Sequence, residues 1–341
     1  MIPEAGAWVT GGNVYNAEIL ARAPRGCEIR IRQLEGSERR SSGQGRASAR
    51  APRAVVVDSL LLGHSGLLPR LERDYPEVSW VLLVHSLDLM QEPPGPRAET
   101  ERTALPWFRA FVVTSEFSAS ALVRDGIDRS RVRVVTPGLG PVFRQRFATR
   151  PACRSIPAIL CVASRLPGKG LLELIELLGS LQEERWRCTI VGDSRLAPAH
   201  AAAEARAVAE RGLGDRIRFL PPRPQPALLE CYDEHDIFVL PSRFETYGMA
   251  VMEAMARGLP VLAFATGGLP ECLARRAEAA LVCAGDWDEF RRRLTWLIRA
   301  AAHERSVLGE RNRLESERFP DWDRQSRAFF SALFGLGGGQ G

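Results

Sequence analysis

Lysine is nearly missing from this chain. Of 46 basic residues in 341 positions only Lys169 is lysine, and every other one is arginine. The net charge of +5 is a mild bias at this length, compatible with an anionic substrate or a weak peripheral contact with a lipid surface. The arginines are dispersed and no aromatic stacking motif accompanies them, which argues against nucleic acid as a partner. Cysteine is as unpatterned: Cys27, Cys153, Cys161, Cys188, Cys231, Cys272 and Cys283 are odd in number and form no CxxC. Reduced core thiols in a cytoplasmic protein are the expectation. The five histidines, at 64, 85, 200, 235 and 303, show no metal-ligand spacing, so no structural metal is expected. No apolar run has the length of a membrane span, and the N-terminus lacks a charged-then-apolar signal pattern.

What the chain does contain is two successions of strand and helix. Hydrophobic residues make up 45% and charged residues 26%, as in a soluble globular protein, and the length suits two domains. The most informative stretch is 238–273, FVLPSRFETYGMAVMEAMARGLPVLAFATGGLPECL. A short apolar run, Ile237 to Leu240, suits a buried parallel strand. A turn at Pro241-Ser242 leads to Glu245 and Gly248, and Met249 to Ala256 are strong helix formers stopped by Gly258 and Pro260. A second apolar strand, Val261 to Ala265, runs into Thr266-Gly267-Gly268, and Pro270-Glu271 suit the first turn of another helix. Two helix N-termini thus point to one end of one sheet, where folds of this kind hold anions.

Glu245 and Glu253 stand eight residues apart, one in the loop and one in the helix. Taken alone, Glu253 reads as an ordinary surface residue of a helix. The wording SRFETYGMAVMEAMARGLPVLAFATGGLPE, however, resembles the donor-site signature of the retaining glycosyltransferases of family 4. The resemblance runs from about Gly11 to Leu333. It implies the two-domain GT-B fold, an α/β architecture of two Rossmann-like domains facing across a cleft. It also implies transfer of a sugar from a nucleotide-diphosphate sugar, without a metal or other cofactor. In that pattern Glu245 positions the sugar hydroxyls and Glu253 the ribose. Thr246, Tyr247, Gly248 and Met249 line the donor site. Two alternatives stay open: a sugar-nucleotide-binding subunit that does not catalyse, and an epimerase of the same fold.

Nearer the N-terminus, Gly11-Gly12 reads as a loop before a helix from Asn16 to Arg22. Alone it would be a plain turn; the resemblance puts it close to the donor phosphates. Little precedes it, so the first strand of the N-terminal domain is expected to be missing or truncated, with Met1 to Trp8 as a poor substitute. Because a first strand is central in a doubly wound sheet, its loss would leave two neighbouring strands without partners. Residues 34–53 are polar, Gly/Ser-rich and basic and read as a surface loop. Strands are expected at Ala54 to Asp58, Val78 to Val84, Ala110 to Ser115 and Val132 to Thr136. His85, at the end of the second of these, is well placed to face a cleft, and the resemblance puts a histidine there near the transferred sugar. Where the family pattern has Val-Asp after Thr136-Pro137-Gly138, this chain has Leu139-Gly140.

A second alternation begins at Ala158, so the expected division is 1–147 for an acceptor-side domain and 148–320 for a nucleotide-sugar domain. A final helix over 321–334 would cross back to the first domain. Arg165 and Lys169 bracket the loop after the strand at Ile159. Each cation could make charge-assisted hydrogen bonds to a diphosphate, at about 1.5–3 kcal/mol apiece. A single lysine falling here rather than at any other of 46 basic positions favours a site that wants a compact point charge. Two D-x-D sequences, Asp286-Trp287-Asp288 and Asp321-Trp322-Asp323, sit where helices begin and read as caps rather than metal–diphosphate motifs. The partners expected are a nucleotide sugar and an acceptor that is a glycan, a lipid or a small molecule.

Overall fold

The structure, a computed structural model, describes residues 10–31, 54–64, 66–145, 156–273 and 281–336. The chain divides into two compact units, Met1–Pro137 with Trp322–Gly341, and Gly138–Asp321.

In unit 1 the strands β1 (Ala54–Asp58), β2 (Ser79–Val84), β3 (Ala110–Val113) and β4 (Val132–Val134) form a parallel sheet in the order β1-β2-β3-β4. All four residues of β3 are buried, as expected of a strand with both neighbours in place and both faces covered. Asp58 pairs with Leu83 and Val84 with Val113, so the ends of the three strands lie side by side. The helix Gly11–Ala21 starts at Thr10, whose hydroxyl accepts the Asn13 N–H at 3.2 Å. The helix Trp322–Leu336 packs on it: Trp322 meets Tyr15 edge-on, with ring centroids 5.6 Å apart. The Ser326 hydroxyl lies against the carbonyls of Ile19 (3.2 Å) and Arg22 (2.9 Å) at that helix's end.

One expectation is corrected here. Gly11 and Gly12 are not a loop but the first residues of a helix, because the Thr10 cap starts it at Gly11 rather than at Asn16. The stretch Met1 to Trp8 lies outside the described residues, as does 34–53. The described strands nevertheless pair directly, so no gap lies between two of them.

Unit 2 carries β5 (Ala158–Val162), β6 (Arg187–Val191), β7 (Ile217–Leu220), β8 (Ile237–Leu240), β9 (Val261–Ala265) and β10 (Leu281–Cys283), all parallel, in the order β10-β9-β8-β5-β6-β7. Alternation of period two divides the strand residues between two apolar layers. Ile159, Ile237, Val239, Leu262 and Phe264 pack with Leu174, Trp186 and Phe290 on one face. Leu160, Phe238, Leu240, Val261 and Ala263 pack with Tyr232, Met252 and Met255 on the other.

The division falls at 137/138 rather than at 147. Phe143 is buried in the second of these layers, and the Leu139 N–H donates to Pro320 O at 2.8 Å, so 138–145 belongs with unit 2. Leu139 and Asp321 also form a parallel bridge where the chain enters and leaves this unit. Among the described residues no helix is long and apolar enough to cross a membrane.

Candidate functional site

The strand order of unit 2 reverses between β5 and β8. From β5 the chain winds outward through β6 and β7, then returns to β8 and winds the other way. The loops after β5 and β8 therefore leave in opposite directions and open a crevice at the carboxyl ends of the strands, the place where ligands bind in such sheets. Lys169 and Glu245 sit on these two loops, and Lys169 Nζ donates to Glu245 Oε1 at 2.7 Å.

Backbone contacts hold the loops together. The Arg243 N–H donates to Gly168 O at 2.8 Å, and Gly170, at φ +68°, approaches so closely that a Cβ would lie 2.2 Å from Pro241 O. The loop after β9 joins them through the Gly268 N–H, which donates to Glu245 O at 2.8 Å. Gly267, at φ +53°, leaves only 1.9 Å between a Cβ and that same carbonyl. Glycine is required there for both reasons. The position of Glu245 is thus set from both sides by main chain.

The helix Met249–Ala256 follows at once. Its first position is preceded by Gly248, and no side chain caps it, so its first-turn N–H groups suit an anion. One turn in, Glu253 receives a hydrogen bond from the Tyr232 hydroxyl at 2.7 Å. Burial pushes its carboxyl up to about 7, against the opposing effect of that bond. Tyr232 is fully buried between Phe143 and Phe238, each 5.9 Å from it between centroids, so it holds Glu253 from a fixed base. Tyr247 is buried in the same apolar layer, while Thr246 and Met249 are half-buried beside Glu245 and Gly248 in sequence.

Arg165 is not brought to Lys169 and Glu245. Its Nε donates to Glu204 Oε2 at 2.5 Å, its Nη2 donates to Ala201 O at 2.8 Å, and its guanidinium lies 3.9 Å from the centroid of Phe219. Glu204 is completely buried, and His200 Nε2 stands 3.4 Å from its other oxygen. A buried carboxylate demands a partner, and Arg165 meets that demand from the helix Pro198–Glu210.

In unit 1, His85 is buried at the end of β2, and its Nε2 lies 2.9 Å from Asn16 Oδ1 and 3.5 Å from Asp58 Oδ2. Asn16 Nδ2 donates to Asp58 Oδ2 at 2.8 Å. Tyr15 meets the imidazole edge-on at 5.3 Å, and a Cβ on Gly12 would lie 3.0 Å from the ring. Gly12 thus makes room for His85, while Gly11 is exposed. Burial lowers the His85 pKa, against the upward pull of Asp58.

Sequence reading passed over Tyr232, Glu204, Asn16 and Asp58. Asn16 had a signal, since it lies four residues after Gly12 and so on the same helix face. Asp58 ends an apolar strand, which is a second. Asp286 is a cap: its Oδ1 accepts the Glu289 N–H at 2.9 Å. Among the described residues no group of three or more His, Cys, Asp or Glu is placed to hold a metal ion.

Two parallel α/β units, one with a crevice at its switch point, define the GT-B class of fold. Residues 154–315, which hold the crevice, match the family described as glycosyl transferases group 1. The D-inositol 3-phosphate glycosyltransferase of Mycolicibacterium smegmatis is 32% identical over 245 residues, 65% of this chain and 56% of that protein. The protein of the same name from Mycobacterium marinum is 26% identical over 286 residues, 79% of this chain and 61% of its own. The chain thus spans between about half and three fifths of the length of these relatives. Among solved structures, sucrose-phosphate synthase from Thermosynechococcus elongatus superposes with a TM-score of 0.70 at 22% identity, over 83% of this chain and 73% of that one. Anabaena HepE in complex with UDP-glucose gives 0.66 at 17%, over 78% and 75%. These likenesses show the fold.

Proposed function

We propose that this protein is a retaining glycosyltransferase that takes its sugar from a nucleotide-diphosphate sugar bound in the crevice of unit 2. The observation that carries the reading is the Lys169–Glu245 pair at 2.7 Å, set on the two loops that diverge at the switch point. The match of 154–315 to glycosyl transferases group 1 supports it, as do relatives named as glycosyltransferases and a structural neighbour solved with UDP-glucose.

Lys169 supplies a compact positive charge for the diphosphate. The N-terminus of the helix Met249–Ala256 adds main-chain N–H donors, so negative charge developing on the leaving group meets donors already in place. Glu245 accepts hydrogen bonds from the sugar hydroxyls once the diphosphate has drawn Lys169 from it. Glu253 accepts from the ribose, with Tyr232 fixing its carboxylate. His85 is assigned a contact to the sugar undergoing transfer. Arg165 joins the diphosphate only by leaving Glu204, so Lys169 carries most of the charge stabilisation. A uridine nucleotide is the first donor to try and an inositol phosphate the first acceptor, on the names of the similar proteins. No metal is assigned a step.

The test is a panel of UDP, GDP and ADP in a thermal-shift assay, since a ligand of the native state raises its stability by mass action. Mass spectrometry with the matching sugar nucleotides and an inositol phosphate follows, with and without EDTA. Proton NMR of the product reads the anomeric configuration. A new glycoside of unchanged configuration, formed in EDTA, is the expected result. A shift with no product would leave a binding protein, an isomerised donor an epimerase, and no shift with any nucleotide would sink the reading.

A further inference from the structure

We infer that Asn16 and Asp58 are positioning residues that hold His85 as the neutral Nε2–H tautomer and leave its Nδ1 as a hydrogen-bond acceptor. A carboxylate only accepts, so the Asn16 group facing Asp58 Oδ2 at 2.8 Å must be the NH2. That fixes the amide and turns its carbonyl oxygen to His85 Nε2, 2.9 Å away. A carbonyl oxygen also only accepts, so Nε2 must carry the proton, and Asp58 Oδ2 at 3.5 Å reinforces the same choice. Nδ1 has no hydrogen-bond partner among the described residues.

The surroundings leave the ring little freedom. Asp58 Oδ1 accepts the Leu60 N–H at 2.9 Å, so the carboxylate is itself anchored. The His85 N–H donates to Ser59 Oγ at 3.1 Å, and that hydroxyl donates to Ser86 O at 3.0 Å. Tyr15 stands edge-on to the ring, and its hydroxyl donates to Val135 O at 3.0 Å. Gly12 closes the other approach, since a Cβ there would lie 3.0 Å from both Cγ and Cδ2. Asp58 is the charged group acting on the imidazole, and burial outweighs it. The Tyr15 phenol, pushed up by burial, stays neutral.

The consequence is chemical. A neutral imidazole that offers Nδ1 accepts a hydrogen bond from a hydroxyl and has no charge to give a phosphate. The group read by His85 is therefore a hydrogen-bond donor, as a hydroxyl of a sugar or a polyol is. Its use in catalysis rests on the proposed transfer, but the protonation state does not.

Two-bond proton–nitrogen correlation on the full chain with nitrogen-15 histidine tests it. The chain has five histidines, and His85→Gln assigns the signal. The expected spectrum near neutral pH is that of the neutral Nε2–H form. In Asn16→Asp the second carboxylate beside the ring should move the His85 titration upward by about one to three pH units. In Asp58→Asn the Asn16 amide loses its orienting partner, and the two tautomers should mix. An Nδ1–H form or an imidazolium in the unaltered protein would overturn the inference. So would folded variants that leave the His85 signals unchanged. If either variant fails to fold, the spectrum of the unaltered protein decides alone. Where transfer is measurable, Asp58→Asn should lower kcat and change its pH profile with UDP affinity unchanged. A protein that shows no transfer but the Nε2–H spectrum would sink the functional reading and leave this one standing.

Discussion

Glu253→Gln is the substitution with the most exact consequence. Burial raises the Glu253 carboxyl from an ordinary 4.5 to about 7, so between these values the folded chain holds a proton that the unfolded chain has lost. Stability must therefore fall as pH rises through that window and level off above it. The full rise corresponds to about 3 kcal/mol at 1.36 kcal/mol per pH unit. Only its upper part lies in an accessible range: between about pH 6 and about pH 8.5 the loss is roughly 1.4 kcal/mol. Glutamine keeps the length of the side chain and an oxygen for the Tyr232 hydroxyl, and it does not titrate. Urea denaturation of both forms at these two pH values should show the original protein losing about 1.4 kcal/mol more than the variant. The same change removes the acceptor proposed for the ribose, so nucleoside diphosphate affinity should fall about 10- to 100-fold, the worth of hydrogen bonds to a charged group. Parallel pH dependences would refute the raised carboxyl of Glu253, and an unchanged affinity would refute the ribose role.

Lys169→Met should weaken UDP binding about 10-fold or more by calorimetry, with the circular dichroism spectrum kept. Because Lys169 is the single lysine, an amine reagent should inactivate the protein unless UDP is present; full activity after labelling would refute its role. Gly267→Ala places a Cβ 1.9 Å from Glu245 O at a positive φ, so it should lower both Tm and turnover; a neutral outcome would show that the loop can yield. Glu204→Ala strands a buried guanidinium and should cost about 3–5 kcal/mol by urea denaturation with or without nucleotide. Glu245→Gln should reduce kcat more than UDP affinity; equal losses would mean that Glu245 acts on the nucleotide.

Elements with strong local signals were legible in the sequence. Ile237–Leu240, Val261–Ala265 and Met249–Ala256 are apolar runs or helix formers bounded by proline and glycine, and their limits agree with the structure. Gly11-Gly12 misled, because glycine suggests a loop and the Thr10 cap outweighs it. Arg165 misled for a different reason. Its distance from Lys169 in sequence is short, but the carboxylate that claims it comes from Glu204, 39 residues away. No local pattern shows that a helix will deliver a buried charge at that place. The Asp58–Asn16–His85 chain is hidden in the same way, since its members lie on a helix and two strand ends that only the sheet order brings together.

Unit 2 is continuous in sequence, whereas unit 1 is built from two pieces. The entry and exit of unit 2 are clasped: Leu139 bridges Asp321, and its N–H meets Pro320 O at 2.8 Å. In polymer terms unit 2 is a closed loop whose ends are tied by its own hydrogen bonds, so excising it would not ask distant ends to find each other. Lengthening the surrounding connections should cost little, because closure entropy grows only logarithmically, at about 0.6 kcal/mol per doubling. Unit 2, with its crevice, is thus a cassette, and its two flanking junctions are the natural places to graft it into another chain.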